Sequence, residues 1–197
     1  MGAAEVIFLE SGYAAASMDA VAARAGVSKA TIYVHFQNKR ALFEAIVHRR
    51  TDAVFQALQL SDSRTDVRRM LTDIALNFVT MILRDDTLSV YRVVLAETPH
   101  QPEVGEAFYH GGPAFTRHKV GEFFVSLEKR GLMDFTGTDP FMVADLFLAM
   151  LAGDAHIKAL FTAKPDEDRI NRVIDTAVDL VLCRCGRHDV SRPPVSP

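Results

Sequence analysis

The stretch Ser17–Phe36, SMDAVAARAGVSKATIYVHF, constrains this chain more than any other. Met18, Val21, Ala22 and Ala25 recur at i, i+3, i+4 and i+7, the spacing of one buried helical stripe. Ser17 stands where an N-cap belongs, and Asp19 in the first turn suits the helix dipole. Gly26 supplies a turn, and Ser28 caps a second short helix whose inner face is Ile32 and Phe36. With those two residues inward and a rotation of about 100° per residue, Ala30 and Val34 point directly outward. Thr31 and Tyr33 flank them, His35 lies to one side, and Lys29 is in the first turn.

This outward face is small, hydroxylated and lightly basic. A face packed into a protein core is larger and more apolar, and a merely solvated one carries more Glu and Lys. It suits a helix laid into the major groove of DNA. Ala30 permits close approach, and its methyl can meet a thymine methyl; Thr31 can bond a base edge or a phosphate. Tyr33 and His35 have the reach for phosphate oxygens. Ser17, Ser28 and Lys39 sit at helix N-termini, where backbone amides favour phosphate. The same serines, with Asn38, serve as ordinary caps, and Tyr33 as a packed surface aromatic. Spacing alone leaves both readings open.

Charge supports a local contact rather than a coat. The chain of 197 residues has a net charge of −3. Residues 1–50 hold six basic residues against four acidic ones, a net of +2, so the remainder carries −5. A mildly basic head on an acidic body fits a local DNA contact.

The rest reads as helix throughout. Residues 3–11, with Val6, Ile7 and Leu9 apolar, are expected to end at Gly12. Asn38 caps a helix over roughly 39–59, about 30 Å long at 1.5 Å per residue, with Leu42, Phe43, Ile46, Val47, Val54, Phe55 and Leu58 on its apolar side. Beyond the polar segment Ser61–Thr65, helices are expected at about 66–84, 87–97, 103–110, 114–130, 140–162 and 167–184. The expected breaks are Pro99 and Pro102, Gly111-Gly112-Pro113, Gly131 with Thr136–Pro140, and Lys164-Pro165-Asp166. The tail Ser191–Pro197, with three prolines, is expected to be disordered.

The motif Gly12-Tyr13, Ser17, Val21-Ala22, Ala25-Gly26-Val27-Ser28, Thr31-Ile32-Tyr33, His35-Phe36, Lys39 and Leu42-Phe43 resembles the DNA-binding domain of the TetR family of bacterial transcriptional regulators. The stretch Tyr91–Pro113 resembles one C-terminal subtype more weakly. The resemblance implies an all-α chain: a three-helix helix-turn-helix domain at 1–46, then a helical ligand-binding and dimerisation domain at 47–190. It implies a homodimer through the last two long helices, about 140–162 and 167–184. The reading helices would meet successive major grooves about 34–36 Å apart on a near-palindromic operator. A small hydrophobic or aromatic effector would enter the body and release DNA. The family also carries a basic arm before its first helix. Here the sequence starts at Met1-Gly2-Ala3-Ala4, almost inside that helix, so arm contacts to the minor groove are expected to be missing. Val34 occupies a variable position that often bears a polar or larger residue; a branched apolar group there suggests a thymine-methyl contact.

Aromatics and methionines are dense in the body, and a helical core accounts for most of them. Phe78, Tyr91, Phe108, Tyr109, Phe123, Phe147 and Met150 are the candidates for an apolar effector cavity. Core and cavity look alike in sequence, since both are apolar at helical spacing. His156 is expected in the core or cavity with a hydrogen-bond partner. His100, His110 and His118 match no compact metal-ligand spacing, so no metal or cofactor is expected. Cys183 and Cys185, two apart on a helix, do not face each other; they read as reduced thiols in a cytoplasmic, nucleoid-associated protein. No signal peptide is read at the start, and no apolar run approaches the roughly 20 residues of a membrane span. Enzyme signatures such as GxSxG, HExxH or a phosphate-cradling loop are absent from the sequence. A regulator answering to a protein partner or to redox state is the alternative to a ligand-responsive repressor.

Overall fold

The computed structural model describes residues 2–59, 66–162 and 166–186, except for the side chains of 9–11 and 53–59. Among the described residues every regular element is helical, with a single antiparallel bridge, Met133 to Gly186. The helices are α1 (Gly2–Ala15), α2 (Met18–Ala25), α3 (Lys29–His35), α4 (Lys39–Gln59), α5 (Val67–Ile82), α6 (Asp85–Glu97), α7 (Pro102–Tyr109), α8 (Phe115–Lys129), α9 (Pro140–Phe161) and α10 (Glu167–Cys185). The expected Ser61–Thr65 segment, most of the Lys164-Pro165-Asp166 break, the Ser191–Pro197 tail and the side chains of Leu9, Val54, Phe55 and Leu58 lie outside the described residues.

Local chemistry sets the boundaries in the head. The Ser17 side chain accepts a hydrogen bond from Ala20 N at 3.1 Å, Ser28 one from Thr31 N at 3.1 Å, and Asn38 one from Ala41 N at 2.9 Å. Each satisfies an amide that has no partner inside its own helix. Gly26 closes α2 in the left-handed region (φ 67), and Val27 N then reaches Ala22 O at 3.1 Å. Gly12 interrupts α1 with φ 75, a value that favours glycine. The buried faces differ in detail from the expected stripes. In α1 it is Ala4 and Phe8, one turn apart, that are buried, while Val6 is only half-buried. In α2 Ala25 is exposed, because the helix ends there and its last turn leaves the core.

Among the described residues two hydrophobic cores form. One fills the body between α5, α8, α9 and α10, around Leu71, Phe124, Phe147 and Val178. The other joins the head to the body: Phe8, Tyr13, Ile32, Leu42 and Phe43 pack with Val94, Val104, Ala107 and Phe108 of α6 and α7. Phe8, Tyr13 and Phe43 form an aromatic trio with centroids 5.2–5.6 Å apart.

Gly111-Gly112-Pro113, expected as a break, instead carries α7 into α8 through a π-helical turn, His110–Ala114. Tertiary packing explains the difference. A Cβ at Gly111 would lie 2.6 Å from the Glu44 carbonyl and 3.2 Å from Val47 Cβ, so the turn lies directly on the α4 backbone. The wider turn also tolerates Pro113, and Thr116 Oγ1 donates to Gly112 O at 3.0 Å.

By length and composition α9 is apolar enough to cross a membrane, with mean hydropathy 1.4 over an 18-residue window, which corrects the expectation that no such run exists. It is apolar on two faces. Val143, Ala144, Phe147, Leu148 and Leu151 are buried, while Met142, Leu146, Ile157 and Phe161 are exposed. Gly153 breaks it with φ 34, a kink absent from the expected continuous helix 140–162.

Candidate nucleic-acid interface and interior cavity

The outer face of α3 is open. Lys29, Ala30, Thr31, Tyr33, Val34 and His35 are all exposed, Val34 at 81%. Ile32 alone is buried, with Phe36 half-buried behind it. The Ser28 and Thr31 hydroxyls share a hydrogen bond of 2.8 Å. Lys29 Nζ lies 2.8 Å from the Asp19 carboxylate and 5.9 Å from the Tyr33 ring centroid. The hydrogen bond to Asp19 raises the Lys29 ammonium above the ordinary lysine range. A phosphate approaching Lys29 therefore competes with a carboxylate already in place.

Lys39 occupies a different setting from that of a free phosphate-binding cation. Its Nζ donates to Tyr13 O at 2.8 Å and Ala14 O at 3.2 Å, and stands 4.4 Å from the Tyr13 ring centroid. Burial pushes its ammonium below the usual range. The residue pins the end of α1 to the start of α4, and one further proton remains for an outside acceptor.

Behind this face lies a cavity of about 320 Å³, within the size range of small-molecule sites. Its walls come from α1, α4 and α5 through α9. Of the sequence candidates, Phe78, Tyr91 and Phe108 line it. Tyr109, Phe123, Phe147 and Met150 do not. Tyr109 is 48% exposed on the far side of α7, its hydroxyl accepting from Arg117 at 3.1 Å. Phe147 is fully buried in the body core, 6.1 Å from Phe124, and Phe123 packs against the same core. Met150 turns towards Arg169, Arg172 and Val173 of α10. The reason is the register of α9: Leu148, Ala152 and His156, four apart, face the cavity, and Phe147 and Met150 lie off that line.

The sequence reading missed Phe8, Tyr13 and Phe43, which belong to the head and yet line the cavity. The head motif claimed Tyr13 and Phe43 and masked their second surface; Phe8 stands outside that motif. Polar groups in the wall were missed as well. Arg50 bridges Glu5 of α1 and Asp86 of α6, the latter at 3.1 Å. Thr51 Oγ1 donates to Val47 O at 3.0 Å. His156 does line the cavity, but among the described residues its buried Nε2 has no hydrogen-bond partner, contrary to expectation. Burial pushes its imidazole below the ordinary histidine range. Cys183 is exposed and Cys185 buried, its thiol pushed up chiefly by burial, which disfavours the reactive thiolate.

An all-helical chain with a helix-turn-helix head packed on a helical body around a cavity is the architecture of a DNA-binding transcriptional regulator. Residues 1–46 match the model of bacterial regulatory proteins of the tetR family, and residues 69–187 match that of the AefR-like transcriptional repressor C-terminal domain. The chain belongs to the TetR family, whose members are transcriptional regulators and not enzymes. A TetR-family regulator from Mesorhizobium loti is similar over 94% of both chains, with 27% identity and a TM-score of 0.73. The flavonoid-responsive regulator FrrA is similar over 95% of both, with 26% identity and a TM-score of 0.73. The transcriptional activator FasR of Mycolicibacterium smegmatis is 41% identical over 70 residues, which is 35% of this chain and 32% of that protein.

Proposed function

We propose that the chain is a ligand-responsive repressor, with a DNA-reading domain at 1–46 and a sensing and dimerisation domain at 47–190. One observation carries the reading: the cavity is walled by Phe8, Tyr13 and Phe43 of the head as well as by the body. A molecule that fills it touches the reading unit directly. The bound form then separates α1 and α4 from α6 and α7, and the head leaves the groove. Similarity to FrrA, which is responsive to flavonoids, supports a small, largely apolar effector.

The protein acts as a homodimer in the cytoplasm, at the nucleoid, on a near-palindromic operator. The apolar residues left open on the last two helices, Leu146, Ile157 and Phe161 on α9 and Leu180 on α10, support an interface there. Ala30, Thr31 and Val34 read base edges; Ser17, Ser28, Lys29, Tyr33, His35 and Lys39 hold phosphates. The experiment is a salt titration of operator binding, the operator being selected from genomic fragments. Lys29 and Lys39 from two subunits give a slope of log K against log salt no steeper than about −3.6, since both already have protein partners. Absence of operator selectivity at every salt concentration refutes the reading.

A further inference from the structure

The polar groups in the cavity wall define the chemistry of its occupant, provided that the cavity is the effector site proposed above. Its guanidinium groups are already matched. Arg50 bridges Glu5 and Asp86, and Arg117 lies 3.4 Å from Asp145 while donating to the Tyr109 hydroxyl. A carboxylate ligand would have to displace one of these pairs. Thr51 and Thr116 donate their protons to the Val47 and Gly112 carbonyls.

Two side chains stand apart. Tyr91 and His156 pack edge to face, with centroids 4.6 Å apart and ring planes at 75°. Among the described residues, His156 Nε2 is buried without a hydrogen-bond partner, and the half-buried Tyr91 stands beside it. Tyr13, the other phenol in the wall, lies near Glu103 and Arg40, and Tyr91 lies near Arg117. A buried polar atom is seldom left unpaired, so His156 Nε2 is a site awaiting a partner, with the Tyr91 phenol beside it. Burial favours the neutral form of both groups. A neutral phenol donates and a neutral imidazole accepts at its bare nitrogen, and a hydroxyl group is complementary to both. Phe108 closes on Tyr91 at 4.6 Å and 77°, and Phe78 lies in the same wall, which suits a flat ring.

We infer that the cavity takes an uncharged aromatic molecule bearing a hydroxyl, which accepts from Tyr91 and donates to His156 Nε2. Nε2 is closed to solvent in this form, so the ligand oxygen reaches it on a shift of the wall that covers it.

The test uses the full chain and three probes of one shape: naphthalene, 2-naphthol and 2-naphthoate. The chain has no Trp, so 2-naphthol emission is read without interference. The expected result is 2-naphthol binding about tenfold more tightly than either of the others, the worth of a hydrogen bond to a buried group. Tyr91→Phe and His156→Phe each remove most of that advantage and leave naphthalene binding within about twofold. Tyr91→Phe deletes a single oxygen, and naphthalene reports whether the cavity survives. Equal affinity for naphthol and naphthalene, tightest binding of naphthoate, or loss of both ligands in both variants overturns the assignment. If naphthalene binds without a hydroxyl advantage, only the assignment fails; if none of the three binds, the effector reading fails with it.

Discussion

The π-helical turn on α4 makes a quantitative prediction through Gly111→Ala. An added methyl would stand 2.6 Å from the Glu44 carbonyl oxygen, where ordinary contact begins at 3.4 Å, and 3.3 Å from His48 N. Both neighbours are backbone atoms of a continuous helix, so neither can turn aside. The turn and α4 must part by close to an ångström, and overpacking of this kind costs about 1–3 kcal/mol. The better helical preference of alanine offsets roughly 0.5–1 kcal/mol, which leaves a net loss of about 1 kcal/mol from the middle of the two ranges. For a chain of this size that lowers Tm by about 2–4 °C. Gly112→Ala is the matched control. Its methyl meets only Val47 Cγ1 at 3.2 Å, the end of a side chain that can adjust, so its stability stays close to wild type. Urea unfolding at constant m gives the difference directly, and operator titration on the folded protein tests the coupling. The displaced segment, Glu44 to His48, lies just behind the reading head, so Gly111→Ala weakens operator binding and Gly112→Ala does not. Unchanged stability in Gly111→Ala, or equal damage from both variants, refutes the reasoning.

Val34→Ala is expected to lose about 1 kcal/mol of binding at one or two base positions of each half-site, because Val34 is 81% exposed at the centre of the reading face; a loss uniform across sequences, read by a mutated-operator panel, sinks the thymine-methyl contact. His156 governs part of the acid response. Its folded pKa lies below the unfolded value of about 6.5, so as pH falls through 6.5 the unfolded chain takes up a proton that the folded one refuses, and stability drops until the folded pKa is passed. His156→Gln shrinks that acid-side loss, measured as the difference between urea midpoints at acid and neutral pH; identical losses in both proteins contradict the burial argument. Leu146→Glu combined with Leu180→Glu, at side chains 58% and 55% exposed, yields a monomer by light scattering if the last two helices pair. A dimer that persists places the interface elsewhere.

The head was legible in the sequence because its determinants are local. Ser17, Ser28 and Asn38 each cap the helix they precede, Gly26 supplies the positive φ that ends α2, and Ile32 is set inward by the same rotation that sets Val34 outward. Gly111-Gly112-Pro113 misled because glycine and proline signal a break only when nothing else holds the chain. Here α4 lies against the glycines and holds the turn helical. Phe147 and Phe78 look alike in sequence: both are large, apolar, helical and members of the body core, and only the arrangement of neighbouring helices brings Phe78 to the cavity wall as well. The unpartnered Nε2 of His156 was beyond reach for the same reason, since a missing partner is a fact about space.

The core shared by Phe8, Tyr13 and Phe43 with Val94, Val104 and Phe108 bears on modularity. A head whose apolar interior is completed by α6 and α7 is not a cassette. Grafted onto the body of a relative at residue 46, it would arrive with one wall of its interior missing unless the matching positions of that body were transplanted with it. Recombination between such regulators is thereby constrained by a seam that runs through the middle of a core, and productive chimaeras must be cut around the seam instead of across it.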